Sequence, residues 1–121
     1  MTQIYSVDFN GVNYSVFGES WETRNSWGHT AYLLRNGDEI SRARVRYYNR
    51  TWESYRYQSA GLQAVDVARD AAVARALENY RERTGKKRLS ADVKKQILEN
   101  DAAVRVYDSI LQGLETQRRY C

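Results

Sequence analysis

The chain has 121 residues, 42% of them apolar and none proline, which suits one folded domain with a modest core and argues against disorder. Nineteen lysines and arginines against fifteen acids leave a formal charge of +4, a mild bias toward anionic partners. A single cysteine, Cys121, cannot form an internal disulfide, no segment has the pattern of a signal peptide, and no run approaches the ~20 apolar residues of a membrane-spanning helix, so the expected setting is a reducing cytoplasm.

In chain order, strands are expected first. Ile4 to Phe9 and Val12 to Phe17 alternate around Asn10-Gly11, and Asn-Gly is the pair that best tolerates the positive φ angles of a two-residue hairpin turn. A polar loop containing Trp21 is expected over Gly18 to Asn25. A second hairpin follows, with His29 to Leu34 going out, Asn36-Gly37 turning and Glu39 to Tyr48 returning. Strand four alternates most cleanly. Ser41, Ala43, Val45 and Tyr47 fall on one face suited to a core, and Arg42, Arg44, Arg46 and Tyr48 fall on the other. A row of guanidiniums spaced by two residues is too charged to bury without partners.

The second half reads as helix. Thr51 is the expected N-cap, and Trp52, Tyr55, Leu62, Val65, Ala72, Val73, Ala76, Leu77 and Tyr80 follow a helical period. Gly85 is placed to end this helix just after Arg81 and Arg83, whose charges complement its C-terminal dipole. A basic connector, Lys86-Lys87-Arg88, leads to Ser90 as a second cap. Val93, Ile97 and Leu98 continue the apolar stripe, Asn100-Asp101 marks an interruption, and Val104, Tyr107, Ile110, Leu111 and Leu114 resume it to about Gln117. The expectation is an α+β fold in one domain over residues 1–121. A four-stranded antiparallel sheet fills 1–49, a long helix 51–84, and a helix or helix pair 90–118. The helices pack on one sheet face and bury all these stripes.

Catalytic chemistry finds little footing. His29 is the sole histidine and Cys121 the sole cysteine, so no Cys/His site and no multi-histidine metal site is expected within one chain. Asp8, Glu19, Glu22, Asp38 and Glu39 sit at turns and strand ends, where solvated acids are routine. No glycine-rich phosphate loop occurs. The expectation is a binding protein rather than an enzyme, with no cofactor and no metal. His29 is expected near a turn, in an ordinary hydrogen bond.

The densest signal is Arg42 to Gln58, where Arg42, Arg44, Arg46, Arg50 and Arg56 face one acid, Glu53, with Tyr47, Tyr48, Trp52, Tyr55 and Tyr57 interleaved. Two readings stand side by side. The arginines reach phosphates while Tyr48, Tyr55 or Tyr57 stack on bases. Alternatively, they pair with Glu39 and Glu53 or stack on neighbouring rings, and Tyr47, Trp52 and Tyr55 close the seam between strand four and the first helix. Lys86, Lys87 and Arg88, with Lys94 and Lys95 nearby, form a second candidate anion contact or simply a solvated loop.

The string Tyr47-Tyr48-Asn49-Arg50-Thr51-Trp52-Glu53, followed by Ser54-Tyr55-Arg56-Tyr57-Gln58, resembles a box found in small proteins of phages, plasmids and integrated elements of Gram-positive bacteria. The similarity continues through a later helix like Ser90 to Gln117. Several small proteins of such elements are anti-CRISPR proteins directed at type II-A systems, which use Cas9. The resemblance therefore implies a Cas9 inhibitor acting in the cytoplasm of the bacterial host by binding the nuclease, its guide RNA or their complex. It implies no catalytic residues. A phage or plasmid accessory protein that binds nucleic acid directly, and a self-associating structural module, are the alternatives the residues leave open.

Overall fold

The computed structural model describes residues 1–47 and 58–120. Four strands come first: β1 Thr2–Phe9, β2 Val12–Glu22, β3 Trp27–Arg35 and β4 Asp38–Tyr47. Three helices follow: α1 Gln58–Thr84, α2 Ala91–Asn100 and α3 Ala102–Tyr120. The strands form an antiparallel meander in the order β1-β2-β3-β4. Both Asn-Gly pairs make two-residue turns. Phe9 faces Val12 and Arg35 faces Asp38, while Asn10 and Asn36 take φ of 51° and 49°, the left-handed region these turns require. The two turns are tied together, since Asn36 Oδ1 accepts from the Asn13 amide at 2.9 Å.

The expected loop over Gly18 to Asn25 is corrected. β2 continues to Glu22, pairing Gly18, Ser20 and Glu22 with Ala31, His29 and Trp27. Phe17, Glu19 and Trp21 keep strict alternation with Gly18, Ser20 and Glu22, so the polar composition marks an exposed face rather than a break. The true turn is Thr23–Ser26, closed by Thr23 N–H donating to Ser26 O at 2.8 Å. His29 lies three residues past this turn. It is buried within β3, its Nδ1 3.3 Å from Ser20 Oγ and its ring edge-on to Trp27.

One sheet face carries the core. Val16, Ala31 and Leu33 are fully buried there, with Tyr14 nearly so, under α1 and α3. The helical stripe of α1 is corrected in part. Val65 and Ala76 are buried as expected and are joined by Ala60, Gly61, Ala64 and Ala68, while Leu62, Ala72, Val73, Leu77 and Tyr80 are only half-buried. Small residues let the helix axis approach the strands closely. Gly61 Cα lies where an added Cβ would sit 3.3 Å from Val16 Cγ1, and Ser41 Oγ donates to Ala64 O at 2.7 Å. The expected helix start at Thr51, with Trp52 and Tyr55, lies outside the described residues.

The helix ends follow their signals. Gly85, at φ 73°, donates to Arg81 O at 2.8 Å and terminates α1. Ser90 Oγ accepts from Val93 N at 3.2 Å to cap α2, and Asp101 Oδ2 accepts from Val104 N at 3.0 Å to start α3. α3 joins α1 through the Arg69–Asp108 ion pair and covers β1, with Tyr5 lying against Gly113. α2 lies against α1 and α3 and buries none of its residues fully, so its stripe is only partly covered, contrary to expectation. No helix among the described residues is long and apolar enough to cross a membrane.

Candidate nucleic-acid interface

The face of the sheet turned away from the helices is built by cross-strand rows. Phe17, Tyr32 and Arg42 form one row, Glu19, Thr30 and Arg44 the next, and Trp21, Gly28 and Arg46 the third. Alternation on β4 therefore presents Arg42, Arg44 and Arg46 outward, and all three are exposed. Neighbouring guanidiniums leave the strand about 6.6 Å apart, comparable to successive phosphates of an extended single strand.

The three cations are not equivalent. Glu39 holds Arg42 bidentately, with Nη2 2.8 Å from Oε1 and Nε 3.1 Å from Oε2. That carboxylate raises the pKa of Arg42 further. The arginine also lies 5.1 Å from the centroid of the Tyr32 ring. The pairing exists because the β3–β4 register shifts at Leu33/Leu34, so that Leu33 faces Ser41 but Leu34 faces Glu39. The extra residue, Ile40, throws Glu39 from the core side to the arginine side. Without that bulge, Glu39 would share a face with Ser41.

Arg44 and Arg46 have a different neighbour. The guanidinium of Arg44 stacks over the Trp21 indole at 3.8 Å from a ring centroid, and that of Arg46 lies at 5.5 Å. The indole lies flat because Gly28 sits beneath it; a Cβ there would stand 2.7 Å from Trp21 Cζ2 and 1.9 Å from Val45 O. An aromatic ring laid over a strand glycine restores the packing that the missing side chain forfeits. Among the described residues no carboxylate pairs with Arg44 or Arg46. The Trp21 N–H is buried without an acceptor among the described residues, at a cost of about 1–3 kcal/mol.

Stacking has a physical consequence. A guanidinium held flat on a ring has already lost much of its rotamer freedom, so little more is lost when it meets an anion, and its N–H edge stays open to bidentate contact. One face of the indole is against Gly28 and the other against Arg44, so the stack offers a guanidinium plane rather than a bare ring. Tyr32 is the second aromatic on this face. Its hydroxyl donates to Glu19 Oε1 at 2.5 Å, and that bond is the main reason its pKa is raised.

Among the acids weighed for catalysis, Asp8 is engaged by Asn13 Nδ2 at 2.9 Å, Glu19 by Tyr32 and Glu39 by Arg42. Lys86, Lys87 and Arg88 are exposed in the α1–α2 connector. They follow Thr84, roughly 30 Å of helix axis beyond Ala64, whose carbonyl sits over Ser41. The fold thus does not bring this basic cluster into the arginine row. Tyr48, Arg50, Arg56 and Tyr57 lie outside the described residues. Trp21 and Tyr32 were missed in the sequence as parts of this surface. The signal was there in Phe17-Gly18-Glu19-Ser20-Trp21, whose odd positions continue the outward face of β2. No family model, no curated protein and no solved structure matches the chain.

Proposed function

We propose that this chain is a non-catalytic inhibitor of a type II-A CRISPR nuclease that engages the guide RNA of the Cas9 complex through the outer face of its sheet. The observation that carries the reading is the Arg44–Trp21 stack at 3.8 Å with Arg46 beside it, both cations exposed and free of carboxylates among the described residues. Such groups suit a string of phosphates better than a flat acidic protein surface, because their spacing is periodic along an extended strand. The YYNRTWE-type box begins at Tyr47, the last residue of the strand that carries the row.

Charge favours the RNA over the nuclease as the first contact. Cas9-type effectors hold their heteroduplex in a positive channel, which repels a +4 ligand unless nucleic acid mediates the approach. The test is a mobility shift of guide RNA and of duplex DNA, each with and without Cas9, paired with a pull-down on guide-free and guide-loaded nuclease. The reading expects binding to guide-loaded Cas9 and to guide RNA, inhibition of cleavage, and loss of both when Arg44 and Arg46 become glutamine. A shift of duplex DNA alone, with cleavage untouched, replaces it with the DNA-binding accessory reading. A stable oligomer that shifts neither replaces it with the structural one.

A further inference from the structure

On the other side of the sheet, where its hairpin turns meet the helices, a half-open groove of about 610 Å³ separates β1–β4 from α1 and α3. Its floor is a chain of edge-to-face rings: Phe9 on Tyr14 at 6.2 Å, and Tyr14 on Tyr107 at 6.1 Å. Its helical wall is made of methyl groups, those of Ala68, Ala71 and Ala72, which is why space remains there. Ile40, the unpaired residue of the β4 bulge and 40% exposed, also lines the groove.

Two cations stand over this apolar trough. Arg35 comes from the end of β3 and Arg75 from α1, and among the described residues neither forms an ion pair. Asp38 faces Arg35 across the strands without reaching it as a salt bridge. Asp101 also borders the groove, and its Oδ2 accepts from Val104 N in the first turn of α3. Both arginines act on the Tyr107 phenol. Burial raises its pKa first of all, and the fields of Arg35 and Arg75 oppose that rise. Arg35, Arg75 and Tyr107 thus line the same groove as the Phe9–Tyr14 rings, and among the described residues no carboxylate forms an ion pair with either arginine.

We infer that this groove is a binding site for a small apolar carboxylate, an alkyl or aryl acid. Its tail would lie along Phe9, Tyr14 and the alanine wall, and its carboxylate would be held by Arg35, Arg75 and the Tyr107 hydroxyl. The volume falls in the range of small-ligand sites, and the pairing of an apolar trough with a few convergent polar groups is their usual make-up. This site is separate from the outer face and does not depend on the role proposed for it.

The test is calorimetry with sodium decanoate below its micellar concentration, beside decan-1-ol and a short peptide ending in leucine and phenylalanine with a free carboxylate. The expected result is 1:1 binding of decanoate, at least tenfold weaker binding of the alcohol, and weaker binding of the peptide. Arg75→Gln, on an exposed helix position, should weaken decanoate at least tenfold, and Ala71→Leu, which fills the trough while keeping both arginines, should do the same. Lys94→Gln, an equal charge change elsewhere, should leave the affinity alone. Circular dichroism confirms that each variant is folded. Absence of 1:1 binding, equal affinity for acid and alcohol, unchanged affinity in both groove variants, or preference for the peptide overturns the inference.

Discussion

The two faces of this sheet are built from the same strands by the same alternation, yet they solve opposite problems. The inner face joins Val16, Ala31 and Leu33 to the alanine face of α1, and its energetics are those of close packing. The outer face joins Trp21 and Tyr32 to three arginines, and its energetics are those of orientation and charge. What separates them is where the free energy goes. The inner face uses burial to hold the fold. The outer face leaves Arg44 and Arg46 poised over Trp21 at the cost of a desolvated indole N–H.

The contrast can be broken from the inside first. Leu33→Ala removes a fully buried side chain from the centre of the core and should cost about 2–5 kcal/mol, read as a fall in the urea midpoint at unchanged slope. Gly28→Ala tests whether the faces are independent. Its Cβ would collide with Val45 O and with the indole, so about 1–3 kcal/mol of stability should be lost. Trp21 should also tilt off the sheet, seen as a shift in its fluorescence. Unchanged stability in Gly28→Ala would mean that the indole does not lie on the glycine.

The outer face is sharpened by comparing its own members. Arg44→Gln should weaken binding of the guide RNA on the order of tenfold and lower the slope of log affinity against log salt by about one, with the unfolding midpoint nearly unchanged. Arg42→Gln should do less to affinity, because Glu39 already neutralises that cation. Equal effects would remove the distinction between a paired and a poised arginine. The smallest effect is in pH. Tyr32 donates to Glu19, so its folded pKa lies above the ordinary value near 10. An unfolded tyrosine ionises first, so this contribution is intact below pH ~10 and disappears as pH rises through the folded value. The difference in 295 nm absorbance between the parent protein and Tyr32→Phe should titrate late, and a midpoint at or below 10 would deny the bond.

Much of this was legible in the chain, and the reason is local. Asn10-Gly11 and Asn36-Gly37 dictate their turns through φ alone, and Gly85, Ser90 and Asp101 mark helix ends through hydrogen bonds to residues three or four away. The outward setting of Arg42, Arg44 and Arg46 follows from a two-residue period that needs no distant partner. Composition misled where exposure and polarity were confused. Gly18 to Glu22 is polar because one of its faces meets solvent, and it is a strand nonetheless. Ala60, Ala64 and Ala68 are absent from the expected apolar stripe of α1, though closeness of approach, not side-chain size, selects what faces the sheet.

The sequence by itself determined the order of elements, the two tight turns, the helix ends and a strand with cations on alternate residues, because each rests on contacts within a few positions or on a fixed backbone period. Only the tertiary structure decided which arginine is neutralised and which is poised. That depends on one unpaired residue, Ile40, moving Glu39 across the sheet, and on Gly28 admitting the indole of Trp21 from another strand. A bulge and a glycine bed are properties of strand pairing, and neither exists until β2, β3 and β4 lie side by side.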